Sequence, residues 1–435
     1  MTRFDRRRLL ATGAAALGGT AVGWGSRGVR EDTGGPRSGT SADVMEASGP
    51  TGRPSGGETV DFHGVHQAGI TTPAQAHLSL VGLDLLEGLG TAHLGRMMRL
   101  LSDDAARLSS GSGALADTEP ELATEPSRLT VTFGFGPRVL RMLQPAYDPG
   151  LVDLPAFSRD ELDPAWGQTD VVVQVCSDDP VTLVHARRML LKDAAPFATT
   201  RWVQEGFRRA RGTEAEGTTM RNLMGQVDGT VNLPAGDHGR LLWSTGAASG
   251  FDGGTFLVVR RIAMDMTGWD RTDRVAREFT VGRRLSDGAP LTGAAEHDEP
   301  DFAATDATGF PVIDPASHVA RMRSADTDQR FLRRAYNYTT PDGGAGLVFL
   351  AFAADVEKQF VPVQQRMDEL DLLNEWVTTI GSAVYAVPPA CAEGDFVGRE
   401  MLGLASPTAT TAARPPAGTS SGSGADTGQG EEGDA

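Results

Sequence analysis

The stretch RNLMGQVDGTVN, residues 221–232, sets the carboxylate of Asp228 in front of a second glycine and three residues after a first. Gly225 and Gly229 allow a tight turn and a close approach of the backbone to something bulky. An Asp-Gly turn would read the same way, so the motif needs company. His318 follows a Pro-containing turn, and Arg333, first of an Arg-Arg pair, opens a strand fifteen residues later. Together the three residues offer a proton acceptor, a metal-ligating imidazole and a cation that stays charged at any working pH. Of the other seven histidines, His185 lies within a helix face and His238 in a polar loop, and both read as structural. Cys176, in the apolar run VVVQVC, reads as a buried thiol, and a Cys176–Cys391 disulfide stays open. No CxxC or Cys/His cluster suggests zinc or iron–sulfur.

The elements that must hold these residues alternate in period. Strands are expected at 77–86, 129–136, 171–177 and 198–207, with helices at 91–108 and 178–193. The theme repeats with strands at 254–265, 333–340, 346–354 and 381–388 and helices at 269–283 and 355–370. Two successive sets of four strands with helices predict an α+β fold of two tandem ferredoxin-like domains, antiparallel sheets with helices. The expected boundaries are 1–57 for a leader and flexible linker, 58–215 and 216–404 for the two domains, and 405–435 for a disordered low-complexity tail.

The chain has 435 residues and a formal net charge of −17, which argues against nucleic acid and anionic membrane surfaces as partners. Its start is nonetheless basic. Arg6–Arg8, followed by Leu9–Leu10 and a short Ala/Gly-rich segment, has the form of a twin-arginine (Tat) export signal. The expected location is therefore extracellular, periplasmic or in the cell envelope.

Several pieces, in order, span nearly the whole folded region: HGVHQAGITTPAQAHLSLVGLDLL (63–86), RNLMGQVDGTVN (221–232), GGTFLVVRRIAM (253–264), GRRLSDGAPLTG (282–293), SHVARM with FLRRAYNY (317–338), and GLVFLAFAADVEKQFVPVQ (346–364). In this arrangement the chain resembles the dye-decolorising-type heme peroxidases, and within them the Tat-exported deferrochelatase/peroxidase branch. The resemblance implies one heme b per chain, enclosed by the two domains. It implies His318 as the proximal iron ligand, Asp228 as the distal acid/base and Arg333 as the distal arginine, also in contact with the heme. Gly229, Thr230 and Val231 match the stretch that lines the heme edge. One departure is Val319-Ala320-Arg321-Met322, where the branch has an Ile-Arg-Leu-Ala-like run.

The implied activity is reduction of hydrogen peroxide with oxidation of a reducing substrate, bulky aromatic or porphyrin-like, by a homo-oligomer such as a dimer. The alternative within the resemblance is a heme- and iron-acquisition protein that releases iron from heme for membrane uptake components. A third reading is an α+β protein that binds no heme. Asp355 is a candidate to orient His318, or else a helix N-cap. Tyr336, Tyr338, Trp243 and Trp376 are candidates to pass electrons inward from the surface, or else packing aromatics.

Overall fold

Runs of β-branched and aromatic residues form the strands, and most of them are buried on both faces. Val171–Ser177, for example, is buried along its whole length. The computed structural model describes residues 55–143, 147–246 and 248–405. The leader and linker up to residue 54, and the expected tail from 406 onward, lie outside the described residues.

The strands are β1 (His77–Leu85), β2 (Thr130–Phe135), β3 (Val171–Ser177), β4 (Ala198–Phe207), β5 (Thr255–Met264), β6 (Leu332–Arg333), β7 (Tyr336–Thr339), β8 (Ala345–Ala353) and β9 (Val377–Val387). The helices are α1 (Thr91–Ser109), α2 (Pro137–Leu143), α3 (Pro180–Ala194), α4 (His238–Leu241), α5 (Met266–Arg271), α6 (Arg274–Val281), α7 (His318–Met322), α8 (Val356–Gln359) and α9 (Val361–Leu370).

The first four strands run in the order β2-β3-β1-β4 and the later ones in the order β7-β8-β5-β9, all antiparallel, with β6 also on β8. The strand order thus repeats. The two sets meet at single pairs, Phe135↔Ala386 between β2 and β9 and Phe207↔Asn337 between β4 and β7. The result is a ring of antiparallel strands, which leaves few unpaired edges.

Side chains complete the thin seams. Gln67 donates to the carbonyls of Phe133 (3.0 Å) and Pro388 (2.8 Å) and accepts from the Phe133 N–H (2.8 Å). Gln168 accepts from the Val384 N–H (2.8 Å) and donates back to the Val384 carbonyl (2.9 Å). A side-chain amide carries an NH2 group with two donors and a carbonyl acceptor in nearly the spacing of a peptide group, so each glutamine extends the ladder where the backbone does not reach.

Helix α1 buries Leu94, Met97, Met98, Leu101, Ala105 and Leu108, an i, i+3, i+4 stripe against the first sheet. Helix α3 packs beside it, started by Pro180 and by Asp179, whose side chain accepts from the Thr182 N–H. His185 is the expected structural residue, bonded to Asp117 at 2.8 Å.

Elsewhere local chemistry cut the expected elements. The helix expected over 269–283 is two helices, because Asp273 caps a new one through the Ala276 N–H, and it stops at Gly282 (φ +83°). The helix expected over 355–370 divides at Phe360, before Pro362. The strand expected over 333–340 breaks into β6 and β7, and the last strand starts earlier, at Val377. Cys176 and Cys391 are free, and Cys176 receives the Tyr336 hydroxyl at 3.6 Å.

Asp193 of α3 interacts with Asp104 of α1. Burial first, then the hydrogen bond and charge of Asp104, push the Asp193 carboxyl up to about 7, against a small opposing pull from Lys192. A raised carboxyl favours the fold when protonated, and that contribution fades as pH rises through the folded value. Asp193→Asn should therefore melt above the wild type by a margin that grows between about pH 5 and about pH 8. Thermal unfolding across that range checks this, and a margin independent of pH would refute it.

Candidate active site

The RNLMGQVDGTVN stretch folds into a braced loop. The Arg221 guanidinium donates to the carbonyls of Gly225 (2.9 Å), Leu285 (2.6 Å) and Ser286 (2.7 Å). Within this clamp Asn222 and Gln226 close a turn through the Asn222 N–H and the Gln226 carbonyl, 3.0 Å. Gly225 (φ +84°) and Gly229 (φ +127°) take backbone angles that other residues rarely adopt, so the two glycines around Asp228 are required by the path of the chain. The Thr219 and Thr230 hydroxyls, at the two ends of the loop, both donate to Glu296 Oε1, at 2.6 and 2.9 Å.

Arg333 is held against this loop by Asn232. The Asn232 side chain accepts from the Arg333 N–H and donates to the Arg333 carbonyl, both at 2.8 Å. One guanidinium nitrogen of Arg333 donates to the Val231 carbonyl (3.2 Å), and another lies 3.7 Å from Asp228 Oδ1. Both side chains are mostly buried, 14% exposed for Arg333 and 19% for Asp228. The other oxygen of Asp228 takes a 3.4 Å contact from Asn222 Nδ2.

His318 begins α7. Its Nδ1 is bonded to Asp371 Oδ2 at 2.6 Å, and the other oxygen of Asp371 accepts from the Leu373 N–H at 2.9 Å. The neighbouring Leu372 N–H donates to the Ala316 carbonyl (2.9 Å), which ties the two segments together. Burial alone would pull the imidazole pKa down. The charge and hydrogen bond of Asp371 outweigh it, and the pKa lies above its ordinary value. With Nδ1 committed, Nε2 is the nitrogen left to bind a metal. Asp355 is not its partner. That side chain caps α8 through the Lys358 N–H (3.0 Å) and pairs with the Lys358 ammonium (2.6 Å).

Asp228, Gly229, Thr230, Val231, His318 and Arg333 all line one cavity of about 500 Å³. That size suits a cofactor. Its lining mixes apolar residues, among them Ile262, Leu347 and Phe349, with the arginines Arg159, Arg283 and Arg330. Two buried polar atoms on this lining, Gln226 Nε2 and Arg260 Nε, have no hydrogen-bond partner among the described residues. Among those residues no cluster of three or more His, Cys, Asp or Glu side chains could hold a bare metal ion. A single imidazole in an apolar slot, flanked by cations, fits a metal carried in a planar anionic macrocycle.

Sequence reasoning missed Asp371, Asn232 and the bracing role of Arg221. Two of the four candidate surface aromatics need correction. Tyr336 and Tyr338 are fully buried, because their strand faces the interior. Trp243 is half-buried and stacks flat on His66, with ring centres 3.6 Å apart, and half-buried Trp376 meets Trp269 edge-on.

The N-terminal model of the Dyp-type peroxidases matches residues 67–208 and the C-terminal model residues 219–392. The dye-decolorizing peroxidase of Thermobifida fusca is 35% identical over 431 residues, covering 92% of this chain and 97% of that protein. The deferrochelatase of Escherichia coli K12 is 32% identical over 373 residues, covering 79% of this chain and 88% of that protein. Among solved structures, a DyP-type peroxidase from Cellulomonas bogoriensis is 50% identical with a TM-score of 0.78, covering 80% of this chain and 99% of that one. Ferric DtpA from Streptomyces lividans is 38% identical with a TM-score of 0.77, covering 80% and 98%.

The molecule is an oxidoreductase of the heme peroxidase class. The chain belongs to the Dyp-type peroxidase family.

If Asp371 fixes the ring of His318, then Asp371→Ala should weaken heme binding by roughly 10- to 100-fold. Titration of the apoprotein with heme measures this. Unchanged affinity would separate Asp371 from cofactor binding.

Proposed function

We propose that this chain reduces hydrogen peroxide at a heme held by His318, with Asp228 moving the proton and Arg333 stabilising charge. The observation that carries the reading is the meeting of these three side chains on one cavity. Heme, when bound, supplies the electrons that break the O–O bond and later recovers them from the reducing substrate. His318 would hold the iron through Nε2, with Asp371 on its Nδ1–H setting the tautomer and the ring plane. Asp228 accepts the proton of one peroxide oxygen and returns it to the other, the kind of transfer that contributes roughly 10²–10⁴-fold. Arg333 directs a fixed N–H donor at the oxygen where negative charge develops. Gly229, Thr230 and Val231 line the cavity and would border the macrocycle, with Gly229 letting the backbone come close.

In this reading the two repeats of strand order are ferredoxin-like domains enclosing the heme. The reducing substrate is bulky and aromatic or porphyrin-like, a reading supported by the name of the Thermobifida fusca relative. Release of iron from heme is the second reading, supported by the deferrochelatase name of the Escherichia coli relative. Peroxidase action is preferred because the relative that aligns with 92% of this chain bears the peroxidase name.

Asp228→Asn and Arg333→Leu should each keep heme bound and slow the reaction with peroxide by roughly 10²-fold or more. Stopped-flow spectroscopy at the Soret band measures both rates. Wild-type rates in both variants would move the proton transfer elsewhere.

Export by the Tat pathway is part of the same proposal, supported by the arginine run before a weakly apolar segment. Replacing Arg6, Arg7 and Arg8 with lysine should keep the precursor in the cytoplasm. Fractionation of expressing cells tests it, and undiminished export in a host without the Tat machinery would exclude the pathway.

A further inference from the structure

Asp228 is not held by Arg333 alone. Its Oδ2 lies 3.4 Å from Asn222 Nδ2, and the same Nδ2 donates to Gln226 Oε1 at 2.9 Å. The carbonyl oxygen of the Asn222 side chain is occupied as well, accepting from the Gln226 N–H at 3.1 Å. With Oδ1 taken and one amide hydrogen directed at Gln226, the other hydrogen of Nδ2 is directed at Asp228. The side chain cannot flip without losing both bonds to Gln226. Both residues are 7% exposed and both line the cavity. Gln226 Nε2 remains without a partner among the described residues, so the amide pair still has donors to offer to a group in the cavity.

We propose that Asn222 is a positioning residue for Asp228, locked in its rotamer by Gln226, and that this pair holds the Asp228 carboxylate in the orientation needed to take a proton from peroxide. The inference rests on the assignment of Asp228 as the acid/base. Arg333 faces Asp228 from β6, and the charges of His318 and Arg208 also reach it. Asn222 is the neutral donor in this set, so it orients the carboxylate without competing for its charge.

The test compares heme-loaded Asn222→Ala, Asn222→Asp, Gln226→Leu and Asp228→Asn proteins with the wild type. Asn222→Asp keeps an oxygen acceptor for the Gln226 N–H but sets a second carboxylate beside Asp228, so the acid limb is read in the charge-neutral Asn222→Ala, and in Gln226→Leu should Asn222→Ala fail to fold. The readouts are heme occupancy, cyanide affinity, and the rate of reaction with peroxide against pH. Hydrogen cyanide must give up a proton when it binds ferric heme, so its affinity reports the distal base independently of turnover. Loss of a hydrogen bond to a charged group predicts roughly tenfold slower reaction and roughly tenfold weaker cyanide binding in the Asn222 variants, with a smaller loss in Gln226→Leu. The acid limb of the rate profile should move to higher pH, because the ionised form of the carboxylate loses a donor. A purely structural role would lower heme occupancy without moving that limb. The proposal is overturned if folded, fully loaded Asn222 variants match the wild type in rate, acid limb and cyanide affinity while Asp228→Asn is slow. If Asp228→Asn is also as fast as the wild type, the assignment of Asp228 itself fails.

Discussion

The site depends on keeping two opposite charges close without letting them close completely. A guanidinium and a carboxylate free to move would form a bidentate pair at about 2.8 Å and satisfy each other. Arg333 and Asp228 stand at 3.7 Å instead. The separation is enforced from both sides. Asn232 grips the backbone of Arg333 through two bonds, and the Val231 carbonyl draws off one of its guanidinium nitrogens. The Asp228 N–H is bonded to the Met220 carbonyl, in a loop clamped at Arg221 and tied at Thr219 and Thr230 to Glu296. Much of the loop's hydrogen bonding thus holds a carboxylate and a guanidinium apart, with both still facing the cavity.

The closed ring of strands gives that loop a rigid support. Arg333 lies on the short strand β6, and the adjacent Arg334 points into the ring, where it binds the Thr72 carbonyl and the Gln75 side chain. Adjacent residues of an extended chain point to opposite faces, so one Arg-Arg pair provides a cavity cation and a buried structural cation. The earlier part of the chain also reaches the site. The N–H groups of Ser158 and Arg159 both donate to Asp368 of α9 at 2.8 Å, and Asp160 pairs with Arg260. These anchors bring Arg159 and Asp160 to the cavity lining.

Much of this was legible in the sequence because period and spacing carry it. The valine-rich β3 and the stripe of α1 sit where their patterns predict, since burial of apolar faces is a local signal repeated many times. Asp228, His318 and Arg333 could be named because a carboxylate between glycines, an imidazole after a turn and an Arg-Arg pair are local patterns too. Asp371 could not be found that way. It lies 53 residues after His318, and its own surroundings resemble an ordinary helix cap, which it also is. Asp355 was the more visible candidate because it stands in a recognisable stretch, yet its carboxylate is used by α8. A carboxylate's partner in space is set by tertiary packing, which single-sequence patterns do not record. The breaks at Asp273 and at Phe360–Pro362 were legible in principle, as a cap and as a proline in the first turn of α9.

The two carboxylates of the site illustrate how surroundings divide one functional group between two roles. Asp371 is almost fully enclosed and uses one oxygen on the His318 ring and the other on a backbone N–H. Both of its oxygens are thus committed, and the side chain is fixed in place against the ring. Asp228 instead keeps longer contacts, 3.4 Å to Asn222 and 3.7 Å to Arg333, and faces the cavity with part of its surface open. In the proposed reading, this looser hold leaves the carboxylate free to take and return a proton. The loose grip on Asp228 and the tight grip on Asp371 are therefore the same design requirement met twice. A proton carrier must be positioned without being saturated, and an orienting group must be saturated to hold its partner still.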